Sequence, residues 1–156
     1  MKYDAVILGG GPAAVSAALT LRARGKSAAI LSGGIDDIPL FRAKKVTNYP
    51  GCPDISGRAL LEAMERQALD AGAELLHGRA TSVASLGGSF GIVYGPDFCE
   101  AETVILCTGV AAGKPFHGLI HVFAFKKEHR QCATHLRLRH VGVQIPDLID
   151  DRLTLI

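Results

Sequence analysis

The sequence predicts an α/β domain in which a parallel sheet carries helices and a small antiparallel β-meander, and three observations predict it. A short apolar run, Ala5 to Leu8, meets Gly9-x-Gly11-x-x-Ala14, and helix-compatible sequence follows at once. A second apolar run at 27–31 (Ser-Ala-Ala-Ile-Leu) comes one helix later and closes a βαβ unit. Further on, Gly87-Gly88 and Gly95-Pro96 separate three short strand-like segments, as the turns of a meander do.

The glycine turn is the most specific of these. A strand that ends in Gly-x-Gly-x-x-Ala and opens a helix is built to hold the pyrophosphate of a dinucleotide. Gly9 permits the tight turn, Gly11 lets the backbone approach the phosphates, and Ala14 lets the helix lie close on the strand. Pro12 suits the first helical turn, where its missing N–H costs nothing. The helix N-terminus, at Pro12 and Ala13, offers free N–H groups and partial positive charge to an anion.

The other elements follow in order. Strand 3–8 leads to helix 12–24, which Gly25 closes, with Ala13, Ala14, Ala17 and Ala18 keeping one side thin for packing on a sheet. After strand 27–31 comes Ser32 and a loop opened by Gly33-Gly34. Residues 35–57 read as loop, with Asn48-Tyr49-Pro50-Gly51 within them. Leu60, Leu61, Met64, Ala68 and Leu69 repeat at helical spacing and predict a helix over 58–71, stopped by Gly72. A short strand at 74–77 precedes the meander strands 81–85, 90–94 and 98–101. A buried strand at 103–107 ends in Thr108-Gly109.

Composition bounds what the chain does. One domain is expected for 156 residues; a net charge of +2 is too small to argue for nucleic acid or a membrane surface as partner, and neither is expected. No apolar run is long enough to span a bilayer, and Met1-Lys2-Tyr3 leads straight into the first strand, so a cytoplasmic location is expected. Cys52, Cys99, Cys107 and Cys132 include no C-x-x-C pair, so no dithiol motif is visible. The chain changes character near residue 117. Beyond it lie two of the 18 glycines, whereas five of the six histidines lie at or beyond it. The sequence therefore divides into 1–117 and a basic, His-rich tail, 118–156, which reads as divergent, truncated or frame-shifted.

Four elements in matching order carry a resemblance: Gly9-Gly10-Gly11-Pro12-Ala13-Ala14, Asn48-Tyr49-Pro50-Gly51, the helix from Leu60 that runs into Ala71-Gly72-Ala73-Glu74, and Val104-Ile105-Leu106-Cys107-Thr108-Gly109. Residues 1–117 resemble the FAD half of thioredoxin reductase and its low-molecular-weight flavoprotein relatives. The resemblance implies a three-layer FAD/NAD(P)-binding Rossmann-like domain and an FAD-dependent oxidoreductase. NAD(P)H would be the electron donor, and a disulfide-containing protein or a small molecule the acceptor. A homo-oligomer is the expected assembly. It implies that Gly9, Gly11, Pro12, Ala13 and Ala14 hold the FAD pyrophosphate and that Ser32, Gly33 and Gly34 lie along the adenosine ribose. Backbone at Arg79 and Ala80 would contact the adenine, and Asn48, Thr108 and Gly109 would lie by the flavin.

The chain also departs from the family. Ser32 stands at the strand end where a plain NAD site keeps an acid, and Asp36 and Asp37 come a few residues late. Neither a second Gly-x-Gly-x-x-Gly/Ala after residue 117 nor a Gly-Asp occurs in this sequence. Where the family carries Cys-Ala-Thr-Cys, this sequence has Cys132-Ala133-Thr134-His135. Cys132 is the weak catalytic candidate; with His135 it reads either as a redox or nucleophilic pair or, as we favour, as unrelated tail residues. The spacing His129-x-x-Cys132-x-x-His135-x4-His140 is unlike ordinary structural zinc sites, and no metal is expected. The alternative functions are a flavin-binding module without turnover of its own and a small NAD-binding dehydrogenase domain.

Overall fold

The computed structural model describes residues 1–109 and, as backbone alone, two short strands further on, so the tail 118–156 with its Cys132 candidate is otherwise outside the described residues. The elements in chain order are β1 (Lys2–Leu8), α1 (Pro12–Ala23), β2 (Ala28–Ser32), two 3-10 turns (Ile35–Asp37 and Pro39–Arg42), α2 (Gly57–Asp70), β3 (Glu74–His77), β4 (Ala80–Ser85), β5 (Phe90–Tyr94), β6 (Asp97–Leu106), β7 (Phe123–Phe125) and β8 (Thr154–Leu155).

The described strands form one mixed sheet in the order β3-β2-β1-β6-β5-β4, and β7 pairs with β6 and β8 with β7. The strands β3, β2, β1 and β6 are parallel. The strands β6, β5 and β4 are antiparallel neighbours and form the meander. Parallel strands buried on both faces read as continuous apolar runs, and Ala5–Leu8 is such a run, each residue at most 4% exposed.

Alternation along these strands feeds two cores. Ala5, Ile7, Ile30, Ile105 and Cys107 join Ala14, Val15 and Ala18 of α1 and Leu60, Met64 and Ala68 of α2. Val6, Leu8, Ala29, Leu31 and Val104 join Val83, Ile92, Tyr94, Cys99 and Ala101 of the meander. Helices thus cover one face of the parallel strands and the meander's inner side chains cover the other, which gives three layers. Each fully buried aliphatic side chain, such as Ile7, Ile30 or Leu60, supplies about 1.5–3 kcal/mol of transfer free energy.

Three expectations are sharpened. The segments read as separate strands at 98–101 and 103–107 are one strand, β6, whose first half pairs with β5 and whose second half pairs with β1. The stretch 35–57 is loop for much of its length, but it contains the two 3-10 turns and a bridge between Val46 and Ile55. The helix α2 begins at Gly57, one residue before the expected start, because Ser56 is its N-cap: the Ser56 hydroxyl oxygen accepts from the Ala59 N–H at 3.2 Å.

Candidate dinucleotide-binding site

Because β1, β2, β3 and β6 are parallel, their carboxyl ends at Leu8, Ser32, His77 and Leu106 share one edge of the sheet. The chain leaves β1 toward β2 and β3 on one side and reaches β6 on the other. The gap beyond β1 and β6 is therefore the topological switch point, where open α/β sheets take their ligands. The glycine turn occupies that gap.

Gly9 is fixed from both sides. Its N–H donates to the Leu31 carbonyl at 2.9 Å, and the Cys107 N–H donates to the Leu8 carbonyl at 2.8 Å. Its φ is +123°, and a Cβ added to it would run into the Cys107 carbonyl. Gly10, absent from the sequence expectations, is equally tight: a Cβ there would lie 2.5 Å from the Ser32 hydroxyl oxygen.

Gly11 is the opposite case. Its backbone is extended, with φ −78° and ψ −177°, and a Cβ on it would meet nothing within 4 Å. Pro12 follows at the start of α1, no acidic residue lies in the first turn, and the Val15 N–H to Gly11 carbonyl bond at 3.1 Å closes the first turn. The N–H groups of Ala13 and Ala14 precede that bond and have no intrahelical acceptor. Open space at Gly11 beside unpaired N–H groups and the positive end of the helix suits a pyrophosphate.

The second corner lies at the end of β2. The Ser32 hydroxyl accepts from the Gly34 N–H at 3.2 Å, and the Ser32 carbonyl accepts from the Gly78 N–H at 2.9 Å. A Cβ on Gly33 would run into Asp37 Oδ2 and would lie 3.4 Å from Arg79 Nε. Arg79 Nη2 pairs with Asp37 Oδ2 at 3.0 Å. Ser32, Gly33, Gly34 and Arg79 are thus brought together, and Ala80 opens β4 directly after. A cleft of about 30 Å³ lies beside them, lined by Gly10, Val15, Ile30, Ser32, Gly34, Ile35, Glu65, Leu75, Leu76 and His77. Asp37 is the residue that sequence reasoning passed over as coming too late; its only visible signal was the Asp36-Asp37 pair after the glycines.

The remaining expected positions fall as follows. Thr108 N lies 3.4 Å from the Gly9 Cβ position, and Thr108 and Gly109 are exposed at the end of β6, with Gly109 at φ +66°. Asn48 is exposed, and among the described residues its side chain has no hydrogen bond. Its loop is closed by Val46 N–H to Ile55 carbonyl at 2.7 Å and Gly57 N–H to Ala43 carbonyl at 2.8 Å. Nothing in these contacts joins Asn48 to the glycine turn. Cys99 and Cys107 are buried, and burial pushes both thiols up, Cys107 to about 11, so neither is a thiolate at neutral pH. No helix among the described residues is long and apolar enough to cross a membrane.

No protein-family model matches the chain. Among curated proteins it is similar to the thioredoxin reductase of Aquifex aeolicus, 34% identical over 110 residues, which covers 69% of this chain and 34% of that protein. It is 37% identical over 112 residues to the thioredoxin reductase of Peptoclostridium acidaminophilum, covering 70% and 35%. Among solved structures it matches a ferredoxin-flavin thioredoxin reductase from Clostridium acetobutylicum with a TM-score of 0.67 and 31% identity, over 76% of this chain and 41% of that one. The relatives and solved structures it matches, over about 70% of this chain, are thioredoxin reductases, and its mixed α/β sheet matches their fold. The chain spans about a third of the length of the curated relatives it matches.

Proposed function

We propose, from this kinship with thioredoxin reductases, that residues 1–117 are the FAD-binding domain of a thioredoxin reductase-like oxidoreductase and that 118–156 form a separate tail. The observation that carries the reading is the turn at the switch point, with open space at Gly11 and unpaired N–H groups at Ala13 and Ala14. Bound FAD would supply two-electron transfer at its isoalloxazine ring, from NAD(P)H to a disulfide-containing protein or a small acceptor.

The chain's own part is binding and orientation. Gly9 sets the turn, while Gly11, Pro12, Ala13 and Ala14 present backbone to the pyrophosphate. Ser32, Gly33 and Gly34 line the ribose side, and Arg79 and Ala80 the adenine side. Asn48, Thr108 and Gly109 face the flavin half. The reading extends to a cytoplasmic, homo-oligomeric flavoprotein.

A second reading has its own observation. It is the change of composition near residue 117, beyond which the chain turns basic and His-rich, and it favours a flavin-binding module without turnover of its own. One preparation separates the two: the visible spectrum of the purified chain before and after anaerobic NADPH. A flavin spectrum that bleaches supports the oxidoreductase, and one that persists supports the module. A colourless protein that takes up NAD but not added FAD overturns both in favour of an NAD-binding domain.

A further inference from the structure

The helix α2 carries a regular charge pattern on the side turned away from the core. Leu60, Leu61, Met64 and Ala68 are buried, while Arg58, Glu62, Arg66 and Asp70 recur at every fourth residue around the outer side. Their signs run plus, minus, plus, minus. Such a stripe ordinarily serves its own helix, through pairs between residues four apart. Here only the first pair is made. Arg58 Nε meets Glu62 Oε1 at 2.7 Å, and the Arg58 guanidinium lies 5.7 Å over the Phe41 ring. Glu62 also stands in the favoured order before Arg66, yet its carboxylate goes to Arg58. Among the described residues, Arg66 and Asp70 are exposed and make neither an ion pair nor a side-chain hydrogen bond. Beside the stripe, Ala59 and Ala63 are exposed and Leu69 is 48% exposed. The needs of the helix alone therefore do not account for the second half of the stripe.

We propose that this face is the contact between two copies of the chain, whose α2 helices cross antiparallel about a twofold axis centred on residue 64. The inference deepens the homo-oligomeric reading and rests on it, not on the flavin. The order of the charges selects the occupant. Plus-minus-plus-minus read backwards is minus-plus-minus-plus, so an antiparallel copy opposes every charge with its complement. Glu62 faces Arg66 of the partner subunit, and Arg58 faces Asp70 of the partner subunit. Each contact occurs twice, as an isologous interface requires. A parallel copy in register would set like charge on like and is disfavoured. In the antiparallel arrangement Leu69 lies over Ala59 of the partner subunit, and the short Ala59 and Ala63 side chains let the helices approach. Exposed ion pairs contribute little affinity each, so the charges choose the partner and its orientation. The dimer is therefore weak and salt-sensitive. None of the four charged residues belongs to the glycine turn or to the corner at the end of β2.

The test is sedimentation of the full 156-residue chain between about 1 and about 300 µM, at about 20 mM and about 500 mM salt. Glu62→Arg and Arg66→Glu are run alone and as an equimolar mixture, with far-UV circular dichroism and urea midpoints to show that each folds. The unaltered chain should dimerise at low salt, and high salt should weaken the dimer by about tenfold or more. Each variant alone sets like charges opposite one another twice and should weaken the low-salt dimer by at least about tenfold. The mixture should recover the original affinity to within about threefold, because the positive middle of one helix then meets the negative middle of the other. A substitution that merely damages the helix has no such rescue. A dimer that both variants keep unchanged overturns the interface and leaves the homo-oligomeric reading standing. A dimer lost in both variants and not recovered in the mixture also overturns the interface. A chain that is monomeric at every concentration overturns the interface and the homo-oligomeric reading together. The flavin reading is scored separately, by the visible spectrum.

Discussion

Gly9 and Gly11 sit two residues apart and do different physical work. At Gly9 a methyl group would meet the Cys107 carbonyl in a backbone with φ +123°, so Gly9→Ala carries both strain and a clash with main chain that cannot rotate away. Its expected cost is on the order of 3 kcal/mol, read as a lowered urea midpoint in the absence of any ligand. At Gly11 the φ of −78° suits any residue and the space beyond is open, so Gly11→Ala should change stability by no more than about 1 kcal/mol. Its effect belongs to the ligand: FAD affinity should fall by at least about tenfold, roughly 1.4 kcal/mol, because the added methyl stands where the pyrophosphate approaches. Equal effects of the two substitutions on the unliganded fold would contradict this division. The spacing Gly-x-Gly-x-x-Ala made both positions visible in the sequence, because each requirement is local. Gly10 is not visible because Ser32, which crowds it, meets it only when β2 is laid beside β1, and Asp37 is not because its partner Arg79 arrives from the turn between β3 and β4.

The elements show where local pattern suffices and where it fails. The buried face of α2, Leu60, Leu61, Met64 and Ala68, was legible from helical spacing, and so was its stop at Gly72, which has φ +83°. Its exact start was not. Gly57 reads as the end of a loop, yet a Cβ there would run into the Leu40 carbonyl of the second 3-10 turn, so glycine is what lets the loop lie against the helix. The strand β6 looks like two pieces in the sequence for a physical reason. Its buried positions alternate as Cys99 and Ala101 and then break phase to Val104 and Ile105, because the strand passes from the meander to the parallel sheet. A change of partner looks like a strand end when only periodicity is available. The start of α2 carries its own prediction. Ser56→Ala removes the acceptor of the Ala59 N–H and should cost about 1 kcal/mol in urea unfolding, and Ser56→Asp should restore most of it. If both variants unfold alike, the cap contributes nothing measurable.

At the scale of the whole sheet, among the described residues, the polar cluster around Asp4 and the groups proposed to meet the ligand lie at opposite edges. The carboxyl edge carries the glycine turn and the Asp37–Arg79 corner. Near the amino end of β1, Asp4 accepts from Lys26 Nζ at 2.9 Å, from Ser27 N–H at 2.8 Å and from the Ser27 hydroxyl at 2.8 Å. This fastens β1 to the residues that enter β2. The Lys26 ammonium, more than either Ser27 donor, holds the Asp4 carboxyl down to about 2, below its ordinary value of 3.8. Because the folded chain favours the ionised form, the unfolded chain binds more protons between these values. The contribution of Asp4 is therefore fully present above about pH 4 and is lost as the pH falls through about 2. Asp4→Asn should lower the thermal midpoint at pH 6, and the gap from the unaltered chain should shrink steadily between pH 4 and pH 2. High salt should narrow the gap at pH 6 as well, since the pair is solvent-exposed and screened. A gap that stays constant from pH 6 to pH 2 would mean that the charge on Asp4 is irrelevant and that only its shape is used. The separation of the two edges adds a further expectation to the same experiment. The rise in midpoint produced by saturating FAD should be the same in Asp4→Asn as in the unaltered chain, because ligand linkage acts through the affinity of the folded state and Asp4 is remote from the groups that set it.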